Sequence, residues 1–312
     1  MDLLGLGAVK QLAEGLAGLK MFPYFDTAHY IVSVMALREQ PEALQRSYSE
    51  GQREGALEVS QRSPFACWFS SMLYCFGGAI LSGIIMSESP VAPLANSTNV
   101  LLASLMWYLV FYSPLDMVYS CATVFPVRLI LTGMKEVTRT WKVLSGVTQA
   151  GKKYTDGLFV MIAVGWAKGA GGGLMSNFEQ LVRGVWKPET NELLKMTYPT
   201  KVTLIGAVLF ALQQCRYLPL QTPELMLIYT VFIVAIKARM MIMGSSSSPF
   251  APVESALYRT LFARPLTYSP LTNQSSAPSC SSGPDDNRTP SVPNGSPKSE
   301  EPEKCDSAKK TD

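Results

Sequence analysis

The sequence predicts an all-α membrane protein of seven transmembrane helices, arranged as two inverted three-helix repeats and a seventh helix. Three observations carry this. Of 312 residues, 47% are apolar and 16% charged, against about 25% charged in an average soluble domain. Seven apolar stretches recur between residues 21 and 243, on the scale of the roughly 20 residues that cross a hydrocarbon core. Glycine clusters fall in the middle stretch of the first three and again in the middle stretch of the next three. Three is an odd number, so two such halves have opposite topology, the pattern of inverted repeats with a permeation path between them.

The first stretch, about 21–38, is interrupted by Asp26 and His29, and the second, 64–86, carries no charge. The third is about 98–113, the fourth about 115–148 and the fifth about 157–182. The sixth, about 199–215, is short, and the seventh is 225–243. None alternates polar and apolar residues over ten positions, which argues against a barrel. Residues 1–20 lack the basic region and apolar core of a cleavable signal and read as a luminal segment. Residues 21–243 form the membrane domain, with repeats at about 21–113 and 115–216 and the seventh helix at about 222–243. Residues 244–312 form a cytosolic tail. Its Ser-, Pro-, Asp-, Glu- and Lys-rich part, 268–312, cannot bury enough apolar area to fold.

Orientation follows from the basic residues. Arg38, Arg46, Arg53 and Arg62 flank the link between the first two spans. Arg183, Lys187, Lys195 and Lys201 flank that between the fifth and sixth, and Lys237, Arg239, Arg259 and Arg264 follow the seventh. The opposite side has Lys152, Lys153 and Arg216. The positive-inside rule puts the C-terminus in the cytosol and the N-terminus in a lumen. The final Lys309-Lys310-Thr311-Asp312 resembles a dilysine retrieval signal of the endoplasmic reticulum, an address and not an anchor. The sequon at Asn96 is luminal but close to the third span, and those at Asn273, Asn287 and Asn294 are cytosolic.

The fourth stretch holds the least ordinary feature. Arg128, Lys135, Arg139 and Lys142 stand at relative positions 0, 7, 11 and 14, and at about 100° per residue they share a stripe about 60° wide. A Lys or Arg near the centre of a span costs about 2.5–3.5 kcal/mol, and such charges face a water-filled path or an anionic partner. Three readings stand: snorkelling at a helix end, binding of an anionic lipid headgroup, and voltage sensing. The glycines, Gly77-Gly78 in the second stretch and Gly171-Gly172-Gly173 beside Lys168 in the fifth, fit either close helix packing or a break that frees carbonyls towards a cavity. Those residues, with Arg128 and Asp26, are the candidate pore and gating positions.

No enzyme is legible. The single histidine, His29, has Asp26 three residues before it but no nucleophile turn, and Gly169–Gly173 follows no strand as a phosphate-binding loop requires. A net charge of +3 without a basic-aromatic surface excludes nucleic acid. Six cysteines without metal-ligand spacing read as reduced thiols.

Lys135-Glu136-Val137-x-Arg139-x-x-Lys142 resembles the signature of the trimeric intracellular cation channel family. Phe22-Pro23-x-Phe25-Asp26, Cys75-Phe76-Gly77, Leu101-Leu102-Ala103-Ser104 with Trp107-Tyr108, and Met161-Ile162-Ala163-x-Gly165-Trp166 support it. Asn177-Phe178-Glu179, Trp186-Lys187-Pro188-Glu189 and Met196-x-x-Pro199 do so too, and the resemblance spans about residues 20–265. Ser176–Leu181 and Arg183–Asn191 look closest to the type A, muscle-enriched member. The resemblance implies a homotrimer in endoplasmic or sarcoplasmic reticulum with one hourglass pore per subunit. It implies a voltage-dependent potassium current that balances calcium release, and functional coupling to calcium-release channels. It also implies phosphatidylinositol 4,5-bisphosphate on Lys135 and Arg139, with Lys142 as a further lipid contact, and luminal calcium near Ser87. Ser87 departs from the glycine expected there. The alternative is a secondary transporter built on the same inverted repeats.

Overall fold

The computed structural model describes residues 2–45, 60–182, 191–244, 250, 255–256 and 258–260. The chain divides into Met1–Leu257 and Tyr258–Asp312, and of the second unit only residues 258–260 are described, as helix. The dilysine signal, the tail, its sequons, Cys280 and Cys305, and most of the 183–191 motif lie outside the described residues. Ten α-helices are described: α1 Asp2–Ala17, α2 Tyr24–Gln45, α3 Pro64–Ile85, α4 Ser97–Tyr112, α5 Met117–Thr123, α6 Phe125–Lys153, α7 Leu158–Leu174, α8 Ser176–Val182, α9 Tyr198–Gln214 and α10 Thr222–Ile242. No strand occurs among the described residues. By length and composition α3, Leu158–Val182 and α10 suffice to cross a membrane.

The helix starts share one device. Proline occupies the first turn of α3, α6, α9 and α10, where its missing N–H has no intrahelical partner to lose. α10 adds a reciprocal cap between Gln221 and Glu224. α4 begins on Asn96, whose side chain accepts from the Asn99 amide.

The fourth stretch differs from expectation at its start. It does not run from about 115. The chain bends by 93° between α4 and the segment Pro114–Thr123, and a fresh helix, α6, begins at Phe125 and runs for 29 residues. Leu115 and Asp116 are both left-handed, with φ of 54° and 57°, a conformation that costs an L-residue about 1–2 kcal/mol. Arg38 of α2 clamps the bend. Its guanidinium grips both carboxylate oxygens of Asp116, donates to the Val110 carbonyl, and lies 3.9 Å from the Tyr119 ring centre.

Two cores form. Tyr30, Val34 and Leu37 of α2 pack with Cys67, Cys75 and Phe76 of α3 and Ala103, Val110 and Phe111 of α4. Val143 and Val147 of α6 pack with Met161 and Val164 of α7, Val202 and Phe210 of α9, and Tyr229 and Ile233 of α10. α1 lies against α10. Cys67, Cys75, Cys121 and Cys215 are free thiols.

The seam between the cores is the crossing of α3 with α7, and glycine makes it. A Cβ at Gly78 would sit far inside contact distance of the Lys168 carbonyl oxygen, and one at Gly171 would meet the Gly78 backbone. A Cβ at Gly172 would lie 3.1 Å from the Tyr74 carbonyl oxygen. Both helices run unbroken through these residues. Of the two readings left open for the glycines, close packing holds at Gly77-Gly78, and in the fifth stretch the helix ends after them, at Met175 between α7 and α8.

Ser87, in the turn after α3, has φ of 57°, so the expected glycine has a backbone reason. Ser87→Gly should raise stability by about 0.5 kcal/mol, left-handed strain being partly offset by glycine's greater freedom when unfolded. Thermal unfolding in detergent reads this, and a loss above about 1 kcal/mol would contradict the strain argument.

Candidate functional site

α6 is about 43 Å long at 1.5 Å per residue, and one of its flanks carries a chain of polar contacts from end to end. Near its start Arg128 Nη2 is 2.7 Å from Glu39 Oε2. Two turns on, Lys135 is half-buried, with no hydrogen bond or ion pair among the described residues. Two turns further, Lys142 Nζ lies 2.7 Å from His29 Nε2 of α2, and that same nitrogen is 3.2 Å from the Cys75 carbonyl oxygen of α3. Asp26 is within electrostatic reach of Lys142. Beyond it Lys168 of α7 donates to Ser145 Oγ at 3.1 Å and to Gln149 Oε1 at 2.9 Å. Gln149 in turn donates to both carboxylate oxygens of Glu88 at 3.0 Å. At the far end Lys153 donates to the Met86 carbonyl.

Arg139, about 40° round the helix from Lys135, meets a different partner. Its Nη1 is 2.9 Å from Glu136 Oε2, one turn earlier, with side-chain exposures of 9% and 2%. Tyr198, Tyr229 and Lys237, from α9 and α10, lie within electrostatic reach of this pair. A buried ion pair is held against a large desolvation cost, so removing either partner strands the other. The contact lacks hydrogen-bond geometry, and Glu136 Oε2, Arg139 Nη1 and Tyr198 Oη have no hydrogen-bond partner among the described residues.

The stripe read from the sequence is thus one helix face but not one site. Lys135, Arg139 and Lys142 are within electrostatic reach of one another, but Lys142 is turned to His29 and Arg139 to Glu136. Lys168 and Asp26 join the polar track. Arg128 stands at its end in an ion pair. Gly77, Gly78 and Gly171 form the seam, Gly172 lies against Tyr74, and Gly173 faces Glu192. Ser87 is between Met86 and Glu88, whose carbonyl and carboxylate are already engaged by Lys153 and Gln149. Calcium takes 6–8 oxygens. This turn offers one carboxylate, and among the described residues no three acidic, His or Cys side chains gather as metal ligands, so the turn alone does not fit a calcium site.

Several track residues escaped the sequence reading. Gln149 was accessible, being seven positions after Lys142 on the same face. Glu39 and Glu88 carry no local signal, since their partners are 89 and 61 residues away.

Comparison with known proteins gives the family. A sequence model described as TRIC channel matches residues 53–244. Trimeric intracellular cation channel type B of Danio rerio is 69% identical over 267 residues, covering 86% of this chain and 88% of the relative. The type A channel of Gallus gallus is 44% identical over 262 residues, with 84% of each covered. A solved structure described as "Structural basis for activity of TRIC counter-ion channels in calcium release" is 57% identical, has a TM-score of 0.69, and covers 75% of this chain and 99% of that one. A trimeric intracellular cation channel from C. elegans with bound Ca2+ is 36% identical at a TM-score of 0.67, covering 78% of this chain and 100% of that one. The likeness to type A expected from Ser176–Leu181 and Arg183–Asn191 is not supported, since the type B relative shares far more of the sequence. Short motifs shared by the whole family could not separate its types. With 62% of its length matched by the family model and relatives this similar along most of the remainder, the chain belongs to the TRIC channel family.

Proposed function

We propose that the protein is the subunit of a homotrimeric, potassium-permeable channel of endoplasmic or sarcoplasmic reticulum, of the type B kind, that supplies counter-ion current while calcium leaves the store. The observation that carries this is the polar track along α6, running through a largely apolar helical bundle. Polar and ionised groups inside a membrane are expensive and mark ion pathways. In this reading seven helices cross the membrane: α2, α3 and α4 as one repeat, α6, α7 and α9 as the inverted other, and α10 as the seventh, with the N-terminus luminal. The pore follows the track between the repeats, and the α3–α7 seam at Gly77, Gly78 and Gly171 fixes its width. Lys135 and Lys142 move with the field, each elementary charge crossing it being worth about 2.3 kcal/mol per 100 mV.

A bisphosphate lipid headgroup pairs with Lys135. The half-buried ammonium lacks a protein partner among the described residues, and the neighbouring Arg139 adds to the local positive potential. Planar-bilayer recording of the purified full-length protein tests both parts. Unitary potassium current is expected without a co-substrate, and potassium movement only in exchange or with a coupled solute would instead establish a transporter. Lys135→Gln should lower activation by the bisphosphate lipid at least tenfold while leaving the trimer intact on size exclusion. Unchanged lipid activation would remove Lys135 from the headgroup site. Arg139 is a poorer probe, because its loss also strands buried Glu136.

A further inference from the structure

α1 differs from the other long helices in having three unlike sides. One side turns inward: Ala13 is fully buried, and Leu16 and Ala17 pack against the second core. The helix that α1 lies against is α10, which is long and apolar enough to cross a bilayer. A second side is apolar and uncovered. Leu12 is 64% exposed and Val9 50%, and Leu12 stands about 40° round the helix from Leu16. The third side is charged. Lys10 and Glu14, both exposed, are each two residues from Leu12, and so about 160° round the helix from it. A helix with opposed apolar and charged sides is stable where hydrocarbon meets headgroup water.

We infer that α1 is an interfacial helix whose Val9–Leu12 flank inserts among lipid acyl chains beside α10, with Lys10 and Glu14 in the headgroup water. Two observations select lipid over a second copy of the chain. The uncovered flank offers few large apolar side chains among the described residues, Val9 and Leu12 with Leu19 just beyond the helix, whereas a stable protein interface uses about 20–30 residues a side. Residues 18–23 join α1 to α2, and α10 lies against it, so the flank is tethered at two points to helices within the bilayer. Lys10 and Glu14 balance in charge, so buried apolar area and not attraction to anionic headgroups holds the helix down. The leaflet, the luminal one, rests on the topology proposed above. The contact itself rests on exposure and helix geometry.

Site-specific photocrosslinking of the full-length trimer in phosphatidylcholine nanodiscs tests this. Three proteins each carry one substitution: Leu12→p-benzoylphenylalanine, Val9→p-benzoylphenylalanine or Glu14→p-benzoylphenylalanine. Size exclusion checks that each is a trimer, and the Val9 protein stands in if the Leu12 protein does not assemble. After irradiation, intact-mass spectrometry measures lipid adducts and denaturing gels measure adducts between subunits. Lipid adducts at Leu12 and Val9 should exceed those at Glu14 at least fivefold, and should change less than twofold when a third of the lipid is phosphatidylserine. Adducts mainly between subunits at Leu12 would overturn the inference in favour of a contact between copies. A lipid yield at Leu12 no higher than at Glu14 would overturn it in favour of a helix in water. A yield rising more than threefold with phosphatidylserine would overturn the acyl-chain account in favour of headgroup attraction. No current enters this readout, so the channel reading can fail in bilayer recording while the lipid contact stands, and the reverse.

Discussion

Gly78→Ala should destabilise the protein by about 3 kcal/mol or more and reduce recovery of folded trimer, whereas Gly133→Ala should stabilise it. In a helix interior alanine is favoured over glycine by about 1 kcal/mol, so propensity alone predicts a gain at both sites. Space decides otherwise. The added methyl at Gly133 would lie 4.0 Å from its nearest neighbour, Val234, an ordinary contact. At Gly78 it would enter the Lys168 carbonyl. Backbone cannot rotate away as a side chain does, so α3 and α7 must separate along their crossing, and overpacking of a well-packed core costs about 1–3 kcal/mol even where side chains can give. Thermal unfolding and size exclusion of the two variants should show opposite signs. Gly78→Ala with wild-type stability would mean that the two helices do not meet backbone to backbone.

The second large effect is expected at Arg38. Arg38→Met keeps most of the stem's packing and removes the guanidinium from Asp116, the Val110 carbonyl and the Tyr119 ring at once. Arg38 is 10% exposed and Asp116 43% exposed. Breaking a fully buried pair costs about 3–5 kcal/mol, and solvent on the Asp116 side reduces that to about 2–3 kcal/mol. The loss is compounded because two consecutive left-handed, non-glycine residues depend on the clamp. Asp116→Asn retains a hydrogen-bonding partner for the arginine and should cost about 1 kcal/mol. Unfolding should therefore rank Arg38→Met below Asp116→Asn, and both below wild type. A harmless Arg38→Met would show that the bend is held elsewhere.

Much of the fold was legible because a bilayer restricts the choices: spans must be long, apolar and helical. The seven stretches show by composition, and the proline starts of α3, α9 and α10 lie at their edges, whereas that of α6 lies inside the fourth stretch. The bend at Pro114–Thr123 was not legible. Leu115 and Asp116 carry no glycine to announce left-handed backbone, and the residue that pins them, Arg38, is 78 positions away. The basic stripe was visible as a face but its division was not. Periodicity says which residues share a side of α6 and not what each meets there. His29, Glu39 and Glu136 set the separate surroundings of Lys142, Arg128 and Arg139. The glycines were legible as an anomaly, since their propensity cost demanded a reason. The reason needed the opposing helix, and it proved to be contact and not a break.

Lys142 has a further consequence. An ammonium and a hydrated monovalent cation compete for the same oxygens, and this ammonium is covalently tied to the wall. Short flexible tethers hold a group at millimolar effective concentrations, so on the proposed channel reading the route would carry its own tethered competitor. Throughput would then be set by how often that arm swings aside rather than by the bore of the passage. Such a conductor should respond to permeant-ion concentration as an enzyme responds to substrate in the presence of a tethered inhibitor.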